Sequence, residues 1–345
     1  MDRRNDAGDI SLEAAVYEPK SRQHAVECAI LIPAGPLTAV GFLEDTVSSV
    51  HHYIGRTASH VVVIDDSRDG RFRGLQQADS GVTVLDAPDC REGLSAVSQR
   101  GSLFAKQAAG LRWLLNHVRF DALLKMDADA LVTGPAPHHA AIALWEGRPD
   151  VGVVGALMRW GNGVDKAHAM ASKGRQLSAE FYGRGLQWRD VATDALRASP
   201  RALSGLLRRV RWMRTLHRIV ADAEQHGYVR GATCTGGAYF VNPRALEAMQ
   251  ARGFLEPAFA NLFAVSGLSE DSLVALVAYA CGFCLSDPTP ERDPLAINWQ
   301  GLPMSPEELV RRGKAIVHSV RDGRYGEAAV RAFFSALRDD GVPAE

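Results

Sequence analysis

Two carboxylates one residue apart, Asp127 and Asp129, stand directly behind a short apolar run, Ala122 to Met126. They sit in the stretch F-D-A-L-L-K-M-D-A-D-A-L-V-T-G, Phe120 to Gly134. Carboxylates are hard oxygen donors, and two at this spacing can share a divalent cation such as Mg²⁺ or Mn²⁺. In an extended chain residues i and i+2 project the same way, and the small Ala128 between them leaves room for the cation's other ligands. The bland alternative is a solvated turn after a strand, where Asp is common. Far along the chain, His318 ends a second apolar run, K-A-I-V-H-S. Placed behind a strand in a chain that already has D-A-D, its neutral imidazole is a candidate third ligand, although a lone His is more often a surface or hydrogen-bonded residue. Ser269-Glu270-Asp271-Ser272 opens a helix. Acids there complement the helix dipole, and one of the two could also act as a general base at a pocket edge.

These groups need elements to position them. Ala25 to Ile32 reads as a buried strand, stopped by Pro33-Ala34-Gly35-Pro36. Val40, Leu43, Val47, Val50 and Ile54 mark one face of an amphipathic helix. His60 to Ile64 is a β-branched strand that ends in Asp65-Asp66. Strand, helix, strand is a βαβ unit with a parallel pair. Val82 to Leu85 is a third strand, Leu103 to Leu115 a helix, and the D-A-D strand follows. Parallel strands end on the same side, so three sets of groups can meet in one crevice. Pro33, Ala34 and Gly35 offer backbone on which a planar ring can lie. Asp65 and Asp66 offer acceptors for a base or a ribose, and Asp127 and Asp129 offer metal ligands. No G-x-G-x-x-G follows the first strand and no G-x-x-x-x-G-K-[ST] occurs, which disfavours dinucleotide-binding and P-loop readings.

The second half predicts a strand at Val151 to Val154, then a Gly-rich segment, Met158 to Gly163, and a change of character from Asp165 to His226. Arg197 to Arg218 holds seven arginines and no acid, with Leu203, Leu206, Leu207, Val210, Met213 and Leu216 near helical spacing. That is either a helical excursion packed on the domain with a solvated basic face, or a basic surface for an anionic acceptor or membrane head groups. Thr235-Gly236-Gly237 reads as a turn before a strand, its glycines permitting close approach of a ligand to backbone. Asn242-Pro243 is a helix start, and Glu327 to Leu337 is a closing helix.

The bulk properties narrow the class. A chain of 345 residues with net charge −1 suits one large α/β domain or two modest ones, and nothing in its charge calls for nucleic acid. No apolar run approaches the roughly 18 to 20 residues of a membrane span. Met1 to Gln23 is polar, with no apolar core of a signal peptide, and reads as a disordered lead. The five cysteines are scattered. Cys281-Gly-Phe-Cys284 has no second pair to complete a zinc site, so buried thiols and a reducing, cytoplasmic compartment are expected.

The order of these segments resembles the glycosyltransferases of the GT-A fold, closest to the family 2 type. The carrying pieces are I-L-I-P-A-G-P, V-V-V-I-D-D-S-R-D-G, L-L-K-M-D-A-D-A-L-V, T-G-G-A-Y-F-V-N, S-E-D-S-L-V-A-L-V-A-Y-A-C-G-F and K-A-I-V-H-S, spanning about Ala25 to Ser319. The resemblance implies an α/β fold with a mixed, mostly parallel central sheet flanked by helices. It implies one catalytic domain over 24–320, with a nucleotide-binding half at 24–134 and an acceptor half at 151–320 that carries a helical insertion at about 165–226. A C-terminal helix and tail, 321–345, follow.

The implied activity is metal-dependent transfer of a sugar from a nucleoside-diphosphate donor, UDP favoured, to an acceptor hydroxyl of a glycan, a lipid-linked molecule or a small molecule. Ala34, Gly35 and Asp65 or Asp66 would hold base and ribose, with Pro33 beside them. Asp127 and Asp129 match the D-x-D motif, His318 matches a late histidine that completes the Mn²⁺ or Mg²⁺ site, and Gly236 and Gly237 would line the sugar or acceptor side. Asp271 matches the base of inverting members, with Glu270 beside it. Retaining enzymes share the D-x-D and the late histidine, so the stereochemical course stays open. Ala105 to Gly110 replaces an Arg-Asn pair, leaving Lys106 as a candidate nucleotide contact. Asn298-Trp299-Gln300 does not fit the Q-x-x-R-W motif of processive synthases. A sugar-phosphate nucleotidyltransferase and a non-catalytic nucleotide-sugar-binding protein are the alternatives.

Overall fold

The computed structural model describes residues 24–89, 99–181 and 200–340. In chain order the elements are β1 (His24–Ala34), α1 (Val40–Val50), β2 (Ser59–Asp65), α2 (Arg73–Ala78), β3 (Val82–Asp86), α3 (Gln99–His117), β4 (Val118–Met126) and β5 (Leu131–Val132). Then come α4 (His138–Gly147), β6 (Val151–Gly155), α5 (Ala167–Phe181), α6 (Pro200–Gln225), β7 (Ala238–Val241), α7 (Pro243–Ala251) and α8 (Pro257–Ala260). The chain closes with α9 (Glu270–Ala280), β8 (Cys284–Ser286), β9 (Leu295–Ile297), α10 (Pro306–Arg311), β10 (Ile316–His318) and α11 (Glu327–Asp339).

Seven strands form the main sheet in the order β3-β2-β1-β4-β7-β6-β8, and β5-β10-β9 form a second, smaller sheet. In the main sheet β7 alone runs antiparallel to both neighbours, while β3, β2, β1 and β4 are parallel. This is the mixed, mostly parallel α/β sheet that the resemblance implies, with the parallel pairs that the alternation of strands and helices predicts.

Strand alternation divides the apolar residues between two cores. Ala29 and Leu31 of β1 face α3, α6 and α9, where Phe104, Leu111, Leu216 and Leu276 are buried. Cys28, Ile30 and Ile32 face α1 and α4, where Leu43, Val47 and Trp145 are buried. Each fully buried Leu, Ile or Phe contributes about 1.5–3 kcal/mol, so both faces of the sheet are anchored. A third cluster, with Leu131, Val317, Val330 and Phe334, joins the small sheet to α11.

Three sequence expectations are corrected. The strand β1 does not stop at Pro33 but runs through Ala34. Its pairing with β4 ends at Leu31↔Lys125, so Pro33 lies where β1 borders only β2 and its missing N–H breaks no ladder on the β4 side. The helix expected through Ile54 is α-helical only to Val50 and widens into a π turn, His51–Gly55. The apolar stripe of the Arg-rich segment is displaced toward its C-terminal end. Val210 is exposed, while Trp212, Leu216, Ile219, Val220 and Ala223 are buried in the first core. In that half α6 is a packed core helix. Leu203, Leu206 and Leu207, the polar lead 1–23 and the last residues 341–345 lie outside the side chains or residues described. Among the described residues no helix is long and apolar enough to cross a membrane.

Candidate active site

From β1 the chain winds outward to β2 and β3, then returns to place β4 on the other side of β1. Between the carboxyl ends of β1 and β4 lies the switch point where such sheets bind ligands. A cleft of about 300 Å³ opens there, lined by Pro33, Ala34, Gly35, Asp66, Lys106 and Asp127 among others. Asp66 and Lys106 meet across it in an ion pair of 2.6 Å. Asp65 points elsewhere. It is buried, its Oδ1 accepts the Ser67 N–H at 2.7 Å, and its Oδ2 is buried without a partner among the described residues. Of the two acids left open by the sequence, Asp66 is the one that faces the cleft.

At the mouth of this cleft Asp127, Asp129 and His318 bring three donor atoms within 4.8 Å of one another. Nε2 of His318 lies 3.4 Å from Oδ1 of Asp129 and 3.6 Å from Oδ2 of Asp127. The tautomer is fixed from behind. Nδ1 of His318 is 2.7 Å from the Asn298 carbonyl, which only accepts, so Nδ1 is protonated and Nε2 is the ring atom that faces the cluster. Burial acts to lower the His318 pKa, but Asp129, Asp127 and the Asn298 carbonyl raise it, so a cation at Nε2 would take the place of a proton. Asp129 Oδ2 accepts the Ser319 hydroxyl at 2.7 Å, and Arg321 Nε lies 3.5 Å away. Burial works to raise the pKa of Asp129, but His318, Ser319 and Arg321 overcome it and hold the carboxyl below its ordinary range. Two carboxylates and an imidazole are a donor set that suits Mn²⁺ or Mg²⁺.

The loop that carries the two Asp is braced from beneath. Ala128 O accepts from Arg331 at 2.9 Å and from the Thr46 hydroxyl at 3.1 Å, and Asp127 N–H donates to Gly237 O at 2.8 Å. The two glycines make room for side chains. A Cβ on Gly237 would fall 2.2 Å from Nδ1 of His318, and one on Gly236 would fall 2.7 Å from Oε1 of Glu270.

Behind the triad lies a layer of buried charge. Lys125, in the last turns of the β4 pleat, shares a face with Asp127 and reaches its Oδ1 at 2.5 Å. It also donates to the Gly236 carbonyl and stands 3.8 Å from Oε1 of Glu270. Burial raises the pKa of Glu270 and Lys125 opposes it, with the net result above the ordinary glutamate range. Asp271 goes the other way. Burial acts to raise it, but Lys173, Ser269 and the Ser272 N–H hold it ionised, below its usual range. Lys173 comes from α5, so the excursion expected at 165–226 delivers a cation to the centre of the domain. Both Asp271 oxygens are engaged, Oδ2 by Lys173 and Oδ1 by Ser269 and Ser272. Neither Glu270 nor Asp271 lines either cleft described here.

A larger cavity, about 770 Å³, begins on the other side of Asp129 and is lined by Asn162, Asn298, Trp299, Arg321 and Arg324. Trp299 is 70% exposed. Sequence reading missed Lys125, Lys173, Ser319 and Arg321, and met Trp299 only as a mismatch to another motif. For Lys125 a signal existed, since a lysine inside an apolar strand is almost never buried without a partner. The four described cysteines, Cys28, Cys234, Cys281 and Cys284, are free thiols, and burial pushes Cys281 up to about 12.

No protein-family profile matches the chain, and no curated protein sequence matches it. Among solved structures, the chain is similar to a galactosyltransferase, LgtC, in complex with donor and acceptor sugar analogues. The identity is 12% and the TM-score 0.40, over 92% of this chain and 97% of that one. It is also similar to a mannosyltransferase from Pyrobaculum calidifontis in complex with GDP-Man and Mn²⁺, at 15% identity and TM-score 0.37, over 79% of this chain and 59% of that one. A third, TarS of S. aureus in complex with UDP-GlcNAc, is 15% identical at TM-score 0.29 over 42% of this chain and 38% of that one. At these identities and TM-scores the neighbours do not decide the function, which is left to the site's own geometry.

Proposed function

We propose that this chain is a metal-dependent glycosyltransferase of the GT-A type, related by motif order to family 2. It moves a sugar from a nucleoside-diphosphate donor, UDP favoured, to an acceptor hydroxyl. The observation that carries this reading is the meeting of Asp127, Asp129 and His318 at the mouth of the β1–β4 crevice, beside a cleft that holds Asp66 and Lys106. The crevice backbone at Pro33, Ala34 and Gly35 receives the base, and Asp66, oriented by Lys106, accepts from base or ribose. A divalent cation held by Asp127, Asp129 and His318 would neutralise the diphosphate leaving group.

The remaining work falls to the chain's own residues. Arg321, beside Asp129, adds positive charge where the diphosphate lies. The larger cavity, with Trp299 and two Asn, receives the sugar and the acceptor. Gly236, packed against Glu270, and Gly237, packed against His318, would line the sugar or acceptor side. Asp271 is the inverting base in this reading, with Glu270 beside it. Asp271 lines neither cleft and both its oxygens are engaged, so this role requires it to give up the Lys173 ammonium and open toward the acceptor.

The test is a thermal-shift series with UDP, GDP, CDP and dTDP, each with and without Mn²⁺, on the wild type and Asp129→Ala. A ligand at about 100 times its Kd stabilises by about 2.7 kcal/mol. One nucleotide should stabilise the wild type only with the metal and should leave Asp129→Ala unmoved. A response to nucleotide that survives without Mn²⁺ and in Asp129→Ala would remove the metal role. Asp271→Asn should bind donor as the wild type does and lose transfer by about 10²–10⁴-fold. A fully active variant would exclude Asp271 as the base.

A further inference from the structure

The carboxylate of Glu27 stands at the amino end of β1, seven residues and roughly 23 Å along the strand from Ala34 and the crevice. Two imidazoles converge on it. Nε2 of His138 lies 3.3 Å from Oε2, and Nε2 of His139 lies 3.5 Å from the same oxygen. All three donor atoms lie within 4.8 Å of one another. We propose that Glu27, His138 and His139 form a second cation site that takes a tetrahedral transition metal, Zn²⁺ in the first instance, and clamps β1 to α4.

His138 Nε2 is hydrogen-bonded to Glu27 Oε2 at the long end of the range, and His139 Nε2 stands 3.5 Å from the same oxygen. With zinc–nitrogen and zinc–oxygen bonds of about 2.0–2.1 Å, the edge of a tetrahedron is about 3.3–3.4 Å. The observed separations fall beside that edge. The donor types agree, since imidazole and carboxylate together suit Zn²⁺.

The fold brings the ligand atoms together. His138 is fully buried, and both histidines sit in the first turn of α4, from which both Nε2 atoms reach the same oxygen of Glu27. Among the described residues Nδ1 of His138 has no hydrogen-bond partner, so its polar contact is through Nε2, and a cation there would take the place of the Nε2 proton. The registers Val26↔Phe120 and Cys28↔Ala122 place Asp121 beside Glu27 on the next strand, and its charge reaches His138. A water would supply the fourth position. Neither of the clefts described above is lined by these residues.

The test uses the full chain, stripped with chelator and titrated with Zn²⁺ alone. Because the Asp127, Asp129 and His318 cluster can also take Zn²⁺, the titration is made in the Asp129→Ala background. Glu27 and His139 are exposed, so Glu27→Gln and His139→Ala keep the fold. Asp129→Ala should bind one Zn²⁺, and adding either second substitution should weaken it at least tenfold. Co²⁺ in place of Zn²⁺ should give the intense visible bands of tetrahedral coordination, absent once His139 is Ala. Equal Zn²⁺ affinity with and without His139→Ala and Glu27→Gln would overturn the site, as would a weak octahedral Co²⁺ spectrum in their parent. This outcome is independent of whether the crevice binds a nucleotide.

Discussion

Gly237 shows how a single residue type sets the site. Nothing heavier than hydrogen fits there, because a methyl group would meet His318 at 2.2 Å. Gly237→Ala must push the imidazole away from Asp129. Overpacking of this kind costs about 1–3 kcal/mol, and the larger effect falls on function. Under the proposed reading, Mn²⁺-dependent nucleotide stabilisation in the variant should drop to that of Asp129→Ala. An unchanged Mn²⁺ response would show that His318 is not needed in the cluster. Lys125 works by charge instead. Its buried ammonium is tolerated because Asp127, the Gly236 carbonyl and Glu270 surround it, and it thereby links Asp127 to Glu270 behind.

At the scale of elements, α11 acts on a loop about 200 residues away in sequence. Arg331 is buried, donates to Ala128 O at 2.9 Å and Thr46 Oγ1 at 3.1 Å, and pairs with Asp45 at 2.9 Å. Its guanidinium also lies 4.9 Å from the Phe42 ring. One side chain thus pins α1, the D-A-D loop and α11 together. Removing one partner of a buried ion pair costs about 3–5 kcal/mol, so Arg331→Ala should lose about that much in a urea melt and also weaken the Mn²⁺ response. A loss under about 1 kcal/mol would mean that the pair behaves as a surface one. The lysine keeps the charge but not the planar fork that serves several acceptors, so Arg331→Lys should recover only part of the loss.

For the whole molecule the excursion at 165–226 is where packing, charge and pH meet. Lys166, just before α5, is buried and donates to Ala156 O at 2.5 Å and Thr235 Oγ1 at 2.8 Å. It ties the end of β6 to the loop before β7. Burial is the chief cause that lowers its pKa to about 8, from 10.5 for a free lysine. Between those values the unfolded chain holds the proton and the folded chain has released it. Stability from this group therefore rises with pH across that window, by no more than about 3 kcal/mol. The deficit of Lys166→Met relative to wild type should grow when unfolding is measured at about pH 10 instead of about pH 7.5. A deficit that stays constant or shrinks would show that Lys166 titrates normally.

The sequence by itself determined the β/α alternation, the D-A-D strand end, the helix starts at Asn242 and Ser269, and the late strand that ends in His318. These are local patterns of period and capping, and they need no knowledge of neighbours in space. Tertiary structure alone decided which of Asp65 and Asp66 faces the crevice, because one register step on β2 sends the two side chains to different surroundings. It also decided that Lys173 reaches Asp271 and that His318 reaches Asp129, pairs 98 and 189 residues apart. β5, β8 and β9 have two or three residues each, too few for any period to show. The Arg-rich helix was legible as helix but not in its facing, since its apolar positions fit more than one stripe. Only the neighbouring α9 and the sheet selected Trp212, Leu216 and Ile219 as the buried ones, because contact between elements distant in sequence is set by packing and leaves no periodic trace in either segment.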